Sequence, residues 1–143
     1  MDNSDFAAPG TEPPVLRILI VDDCGTTRDA VRQIISARHW SVCGEAADGW
    51  SGVKKFNELK PDLVVLDLKM PDINGIEAAR WMSQSDPTVP IILFTVFDSA
   101  ALQAAAREAG ICAVVSKSEA LALIKTIESA MSGTSLPQKD GGP

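Results

Sequence analysis

The chain predicts a doubly wound α/β domain. Short apolar runs recur at intervals, a stretch of helical periodicity follows each, and polar residues stand at the run ends. The runs cover residues 16–21, 42–45, 63–66, 91–95 and 111–115. They are nearly continuous in apolar character, as strands of a parallel sheet covered on both faces must be. Helices between parallel strands are right-handed crossovers, and repetition of that unit layers helices on both sides of one sheet.

Each intervening segment has its own logic. After the first run, Thr26 or Thr27 is the expected cap of a helix that places Val31, Ile34 and Ile35 on one face. Residues 50–59 predict a second helix, with Val53 and Phe56 together. A third runs from about Gly75 to Ser83. Ser99 is the expected cap of a fourth, whose Leu102, Ala105, Ala106 and Ala109 form a stripe ended by Gly110. Ser118 is the expected cap of a fifth, with Leu121, Ile124 and Ile127 inward. Residues 1–14, with Pro9, Gly10, Pro13 and Pro14, read as a flexible leader, and residues 132–143 as a flexible tail. The folded unit then spans 15–131. No output domain is expected after it.

The totals narrow the function. A chain of 143 residues fits one domain with a real core. A net charge of −6 argues against direct nucleic-acid binding, which needs a basic surface. It favours a cation or a basic partner. No run is long enough to span a membrane, and the acidic start, Met1-Asp2-Asn3-Ser4-Asp5, lacks a signal peptide's basic region. The expected location is cytoplasmic. Cys24, Cys43 and Cys112 are scattered, and His39 is the sole histidine. A structural zinc site is therefore not expected, and the cysteines are expected as small buried hydrophobes, Cys24 the one to watch beside an acidic pair. Trp40, Trp50 and Trp81 are expected to pack, with an exposed partner-binding place for Trp81 as the alternative.

In doubly wound folds the ligand sits beyond the carboxyl ends of the strands. Here those ends bear Asp22-Asp23, Asp67, Thr95 and, two residues past Val115, Lys117. Three carboxylates on one edge repel unless a cation intervenes. Mg²⁺ suits such a site, because it takes one or two carboxylates and keeps several waters. A carboxylate beside it is a competent nucleophile toward phosphorus. Equatorial phosphoryl oxygens then need partners, and the Lys117 ammonium and Thr95 hydroxyl supply them.

These residues carry a resemblance. Asp22-Asp23, the segment Asp67-Leu68-Lys69-Met70-Pro71-Asp72-Ile73-Asn74-Gly75, Thr95 and Ser116-Lys117 are similar to a response-regulator receiver domain of two-component signalling. Glu45-Ala46-Ala47-Asp48-Gly49, Lys60-Pro61-Asp62 and Ser116-Lys117-Ser118 resemble the subclass often fused to LuxR-type output domains. The resemblance implies a flavodoxin-like (βα)5 fold with strand order 2-1-3-4-5. It implies that Asp67 accepts a phosphoryl group from a histidine kinase. Asp23, Asp67 and the backbone carbonyl of Lys69 would bind Mg²⁺ directly, and Asp22 mostly through water. Thr95 and Lys117 would contact the phosphoryl group. The fourth helix, fifth strand and fifth helix would form the dimer or partner face. A receiver is a signalling phosphoacceptor rather than an enzyme with turnover.

Two residues depart from the pattern. Val114 stands three before the lysine, where an aromatic reporter is usual; Phe97 is a candidate to take over part of that role. Val96 stands after Thr95, where a small residue is usual, and would crowd the route to Asp67. These departures motivate an alternative, a pseudo-receiver acting without phosphorylation. Lys69, two after Asp67, is either a solvated loop cation or a partner of the phosphoryl anion. A flavodoxin-like cofactor carrier is disfavoured because Asp22-Asp23 would repel a phosphate. A phosphohydrolase is disfavoured because Lys69 stands where a second acid is wanted.

Overall fold

A computed structural model describes residues 15–97 and 99–132. The expected leader and most of the expected tail lie outside the described residues. Five strands and five helices alternate: β1 Arg17–Val21, α1 Gly25–Ser36, β2 Ser41–Ala46, α2 Gly49–Leu59, β3 Leu63–Leu66, α3 Gly75–Ser85, β4 Ile91–Thr95, α4 Ala100–Glu108, β5 Ala113–Ser116 and α5 Ala120–Met131. All pairings are parallel, in the order β2-β1-β3-β4-β5. This is the flavodoxin-like architecture.

The period-two alternation of the strands sorts the core into two layers. Leu19, Val21, Val64, Leu66, Ile91 and Leu93 face one side, against Val53 and Phe56 of α2, Ala79 and Met82 of α3 and Ala106 of α4. Ile18, Ile20, Leu63, Val65, Ile92 and Phe94 face the other, against Val31 and Ile35 of α1 and Leu123 and Ile127 of α5. The strands β1, β3 and β4 are thus apolar on both faces, which is why they read as unbroken runs.

Several local expectations hold and several are corrected. The Ser99 hydroxyl does cap α4, accepting from Leu102 N at 3.1 Å. Gly110, with φ 95°, does end it, and a Cβ there would lie 2.3 Å from Ser83 Oγ. Thr26 and Thr27 are not the cap of α1. The helix starts at Gly25 with Cys24 as its N-cap residue, because the turn from Asp22 closes at once. Ser118 is not the cap of α5; its hydroxyl pairs with that of Ser116 at 2.8 Å, and Glu119 takes the cap position. With that start, Leu121 points outward, 77% exposed, and Leu123 and Ile127 fill the inward stripe. β5 begins at Ala113, not Ile111, because the Ile111 amide is spent on the Ala106 carbonyl.

The cysteines are not all buried. Cys24 and Cys112 are exposed and Cys43 is half-buried. Trp40 packs on the α1–α5 layer. Trp50 and Trp81 lie half exposed on α2 and α3 and pack against each other, with ring centroids 5.6 Å apart and planes tilted by 55°.

Candidate functional site

The strand order puts β1 and β3 side by side at the centre. Their carboxyl ends therefore deliver Asp22-Asp23 and Asp67 to one place. The backbone fixes both: Asp22 N donates to Ala46 O at 2.9 Å, and Asp67 N donates to Val21 O at 2.8 Å. One oxygen from each of Asp22, Asp23 and Asp67 lies within 4.8 Å of the others. Asp22 and Asp67 are buried and Asp23 is exposed.

Lys117 reaches this cluster from the edge strand. Its amide donates to Thr95 O at 2.9 Å, continuing the β4–β5 ladder one step past the strand end. Its Nζ lies 2.9 Å from Asp22 Oδ2 and 3.3 Å from Asp67 Oδ2. Burial alone would depress the lysine's pKa. The hydrogen bond to Asp22 and the charges of Asp22 and Asp67 outweigh it, and the net shift is upward. Lys117 is held as a cation.

Asp67 is pushed the other way from an ordinary paired carboxylate. Burial raises its pKa first, and the Asp22 charge adds to it; Lys117 and the Leu68 amide offset only part. The lysine answers mainly to Asp22, so the pairing does not lower Asp67 below the usual range. A buried carboxylate with a raised pKa beside a second acid gains from a bound cation.

The remaining oxygens show how each acid is committed. Asp22 Oδ1 accepts from Cys24 N at 2.9 Å, and its other oxygen faces Lys117. Asp67 Oδ1 accepts from Leu68 N at 2.8 Å. Thr95 is fully buried, and its hydroxyl oxygen accepts from Phe97 N at 3.3 Å. The Lys69 ammonium lies over the Phe97 ring, 5.5 Å from its centroid. Val96 is 68% exposed beside this contact, and Val114 is half-buried against the α2–α4 layer.

Two contributors escaped the sequence reading. Arg28 of α1 donates to the Asp22 carbonyl at 2.7 Å and lies 3.4 Å from Glu45, bracing the acidic turn. Asp72 accepts from the first two amides of α2. The contacts of Arg28 with Glu45 and of Asp72 with α2 join residues far apart in sequence and have no local signature.

An acidic cluster with a lysine at the carboxyl edge of a 2-1-3-4-5 sheet is the phosphorylation pocket of a two-component signalling module. Residues 18–128 match the family model of the response regulator receiver domain, and the chain belongs to that family. It is 39% identical over 94 residues to the chemotaxis protein CheY of Thermotoga maritima, covering 66% of this chain and 78% of that one. It is 34% identical over 109 residues to the response regulator GacA of Pseudomonas viridiflava, covering 76% of this chain and 51% of that one. The chain thus spans about half the length of GacA. Among solved structures, a LuxR-family two-component response regulator from Aurantimonas sp. SI85-9A1 superposes with a TM-score of 0.81 at 35% identity, over 85% of this chain and 89% of that one. No helix among the described residues is long and apolar enough to cross a membrane.

Proposed function

We propose that this protein is a phosphoacceptor switch of a two-component phosphorelay. Asp67 takes the phosphoryl group of a histidine kinase or phosphotransfer protein. A carboxylate oxygen of Asp67 attacks phosphorus, the bond to the donor histidine nitrogen breaks, and that nitrogen leaves with the electron pair. The observation that carries this reading is the meeting of Asp22, Asp23 and Asp67 around one point with Lys117 beside them.

The donor set fits Mg²⁺: three hard carboxylates within reach of one ion and a raised pKa at Asp67 that a cation would relieve. Asp23 and Asp67, with the Lys69 carbonyl, are the direct ligands in this reading. Asp22 has both oxygens engaged by Cys24 and Lys117, which suits a ligand acting through water. When bound, Mg²⁺ neutralises charge on the transferring group. Lys117 neutralises a second phosphoryl oxygen, and the Thr95 hydroxyl, whose oxygen already accepts from Phe97, is left to donate its proton to a third.

The message leaves by protein–protein contact, with the α4–β5–α5 face as the surface for a downstream protein or a second copy. Nucleic acid and membrane are not direct partners in this reading, and the location is cytoplasmic. Incubation with a small acyl phosphate and Mg²⁺, read by intact mass, tests it. One phosphoryl adduct that disappears in Asp67→Ala is the expected result. The absence of an adduct with donor and with kinase supports the second reading, an interaction module acting without phosphorylation. The non-aromatic Val114, packed on the core, is what favours that alternative.

A further inference from the structure

The loop between β3 and α3 carries Asp67 and Lys69 and is tied at both ends. Gly75 N donates to Leu68 O at 2.7 Å, and Asn74 forms a reciprocal capping box with Glu77. Its middle is tied to a different helix. Asp72 Oδ1 accepts from Gly49 N at 2.8 Å and Oδ2 accepts from Trp50 N at 2.8 Å. These are the first two amides of α2, where an anion is favoured by the helix dipole. The helix has its own cap already, Asp48, which accepts from Ser51 N. Asp72 therefore does more than end a helix: it joins the loop to α2 across 23 residues of sequence.

The fit is close. A Cβ on Gly49 would lie 2.4 Å from Ile73 Cγ1 and 2.8 Å from the Ile73 carbonyl oxygen. The loop rests directly on the helix start, and only glycine admits it there. Burial works against the charged carboxyl, but together the amides of Trp50, Gly49 and Ile73 outweigh it and hold the group down at about 2. The clamp stays charged at every physiological pH.

We propose that Asp72 is a positioning residue for the metal loop: by gripping the Gly49 and Trp50 amides it fixes the stretch carrying Lys69 in the form that completes the Mg²⁺ site. This rests on the phosphoacceptor reading above. A loop released from α2 must be ordered again when the ion binds, so the loss falls on Mg²⁺ affinity and not on chemistry at saturation.

The test uses Asp72→Ala, Asp72→Asn and Gly49→Ala in the full chain. Mg²⁺ binding is followed by titration calorimetry and by tryptophan fluorescence. Exchange of the Gly49 and Trp50 amides, and phosphorylation rate against Mg²⁺ concentration, are measured alongside. In Asp72→Ala the Mg²⁺ dissociation constant should rise about tenfold, the scale set by groups that orient metal ligands. The rate at saturating Mg²⁺ should stay within about twofold of wild type. Both amides should exchange faster. Asp72→Asn, which keeps one acceptor oxygen, should lie between. Gly49→Ala should weaken Mg²⁺ binding with the carboxylate intact, which covers the case in which Asp72→Ala does not fold. An unchanged Mg²⁺ affinity despite faster amide exchange would overturn the proposal. So would a deficit that saturating Mg²⁺ fails to restore. Wild-type protein that binds no Mg²⁺ would sink the phosphoacceptor reading itself; a variant that matches a Mg²⁺-binding wild type sinks only the role of Asp72.

Discussion

Lys117 is shared unequally by two acids: its Nζ lies 2.9 Å from Asp22 and 3.3 Å from Asp67. Asp22 thus holds the cation by the shorter contact and stations it next to Asp67, which keeps the longer one. In the phosphoacceptor reading proposed above, the acid that mainly holds the lysine is not the one that takes the phosphoryl group.

Replacement of Lys117 should therefore hurt the reaction more than metal binding. Lys117→Gln removes one preset charge from the developing phosphoryl oxygens, a loss of about 10²-fold in rate. It leaves all the carboxylates in place. A time course of acyl-phosphate labelling by intact mass, with Mg²⁺ affinity measured in parallel, checks both halves. A matching fall in Mg²⁺ affinity would contradict the division of labour.

Asp67→Asn should stabilise the metal-free protein at neutral pH. Burial and the Asp22 charge raise the folded-state pKa of Asp67 above its unfolded value. For a raised pKa, the favourable contribution is complete below the unfolded value and is lost as pH climbs through the folded one. At neutral pH the wild type therefore carries an unfavourably buried charge that asparagine removes. The gain should be ~1 kcal/mol, an ordinary single-site effect, and should shrink as pH falls through the carboxylate range. Urea unfolding of both proteins across pH, without divalent ions, measures it.

Val96→Ala should accelerate both phosphorylation from small donors and hydrolysis of the adduct. Val96 follows Thr95 directly and stands largely in solvent beside the Lys69–Phe97 contact. The change should be about threefold, less than 1 kcal/mol of barrier. Rates that are no faster in the variant would remove crowding as an explanation.

Gly75→Ala should destabilise the fold. A Cβ there would lie 2.2 Å from the Asp67 carbonyl oxygen and 3.1 Å from Leu68 Cα, both backbone atoms with little freedom to retreat. A loss of about 2 kcal/mol or more is expected, as for overpacking at a tight contact. Thermal unfolding checks it, and a variant as stable as wild type would mean the loop is softer than its hydrogen bonds imply.

The strands were legible because burial on both faces leaves unbroken apolar runs, and their polar ends pointed to the pocket. Asp22, Asp23 and Asp67 do meet around one point, Lys117 does reach them, and Thr95 is buried at its strand end. What escaped is what depends on distant partners. Cys24 makes no side-chain cap bond, so the threonines after it are the stronger start signal for α1 in the sequence. Ser118 has the right chemistry for a cap but spends its hydroxyl on Ser116. That shift in the start of α5 turned Leu121 outward and left Leu123 to fill the core. Trp50 and Trp81 pack as expected, but against each other on the surface, and Trp81 takes the exposed one of its two expected places. The role of Asp72 has no local sign, because nothing near it in sequence marks the helix amides it binds.

The strand order also bears on how the molecule is made. The acids come from β1 and β3, early in the chain, whereas their cation comes from just beyond β5, on the last strand of the sheet. Any truncation or local melting that frees the β5 edge withdraws Lys117 and leaves the acids uncompensated. The state of the β5 edge is in this sense written into the charge of a pocket built mainly by β1 and β3.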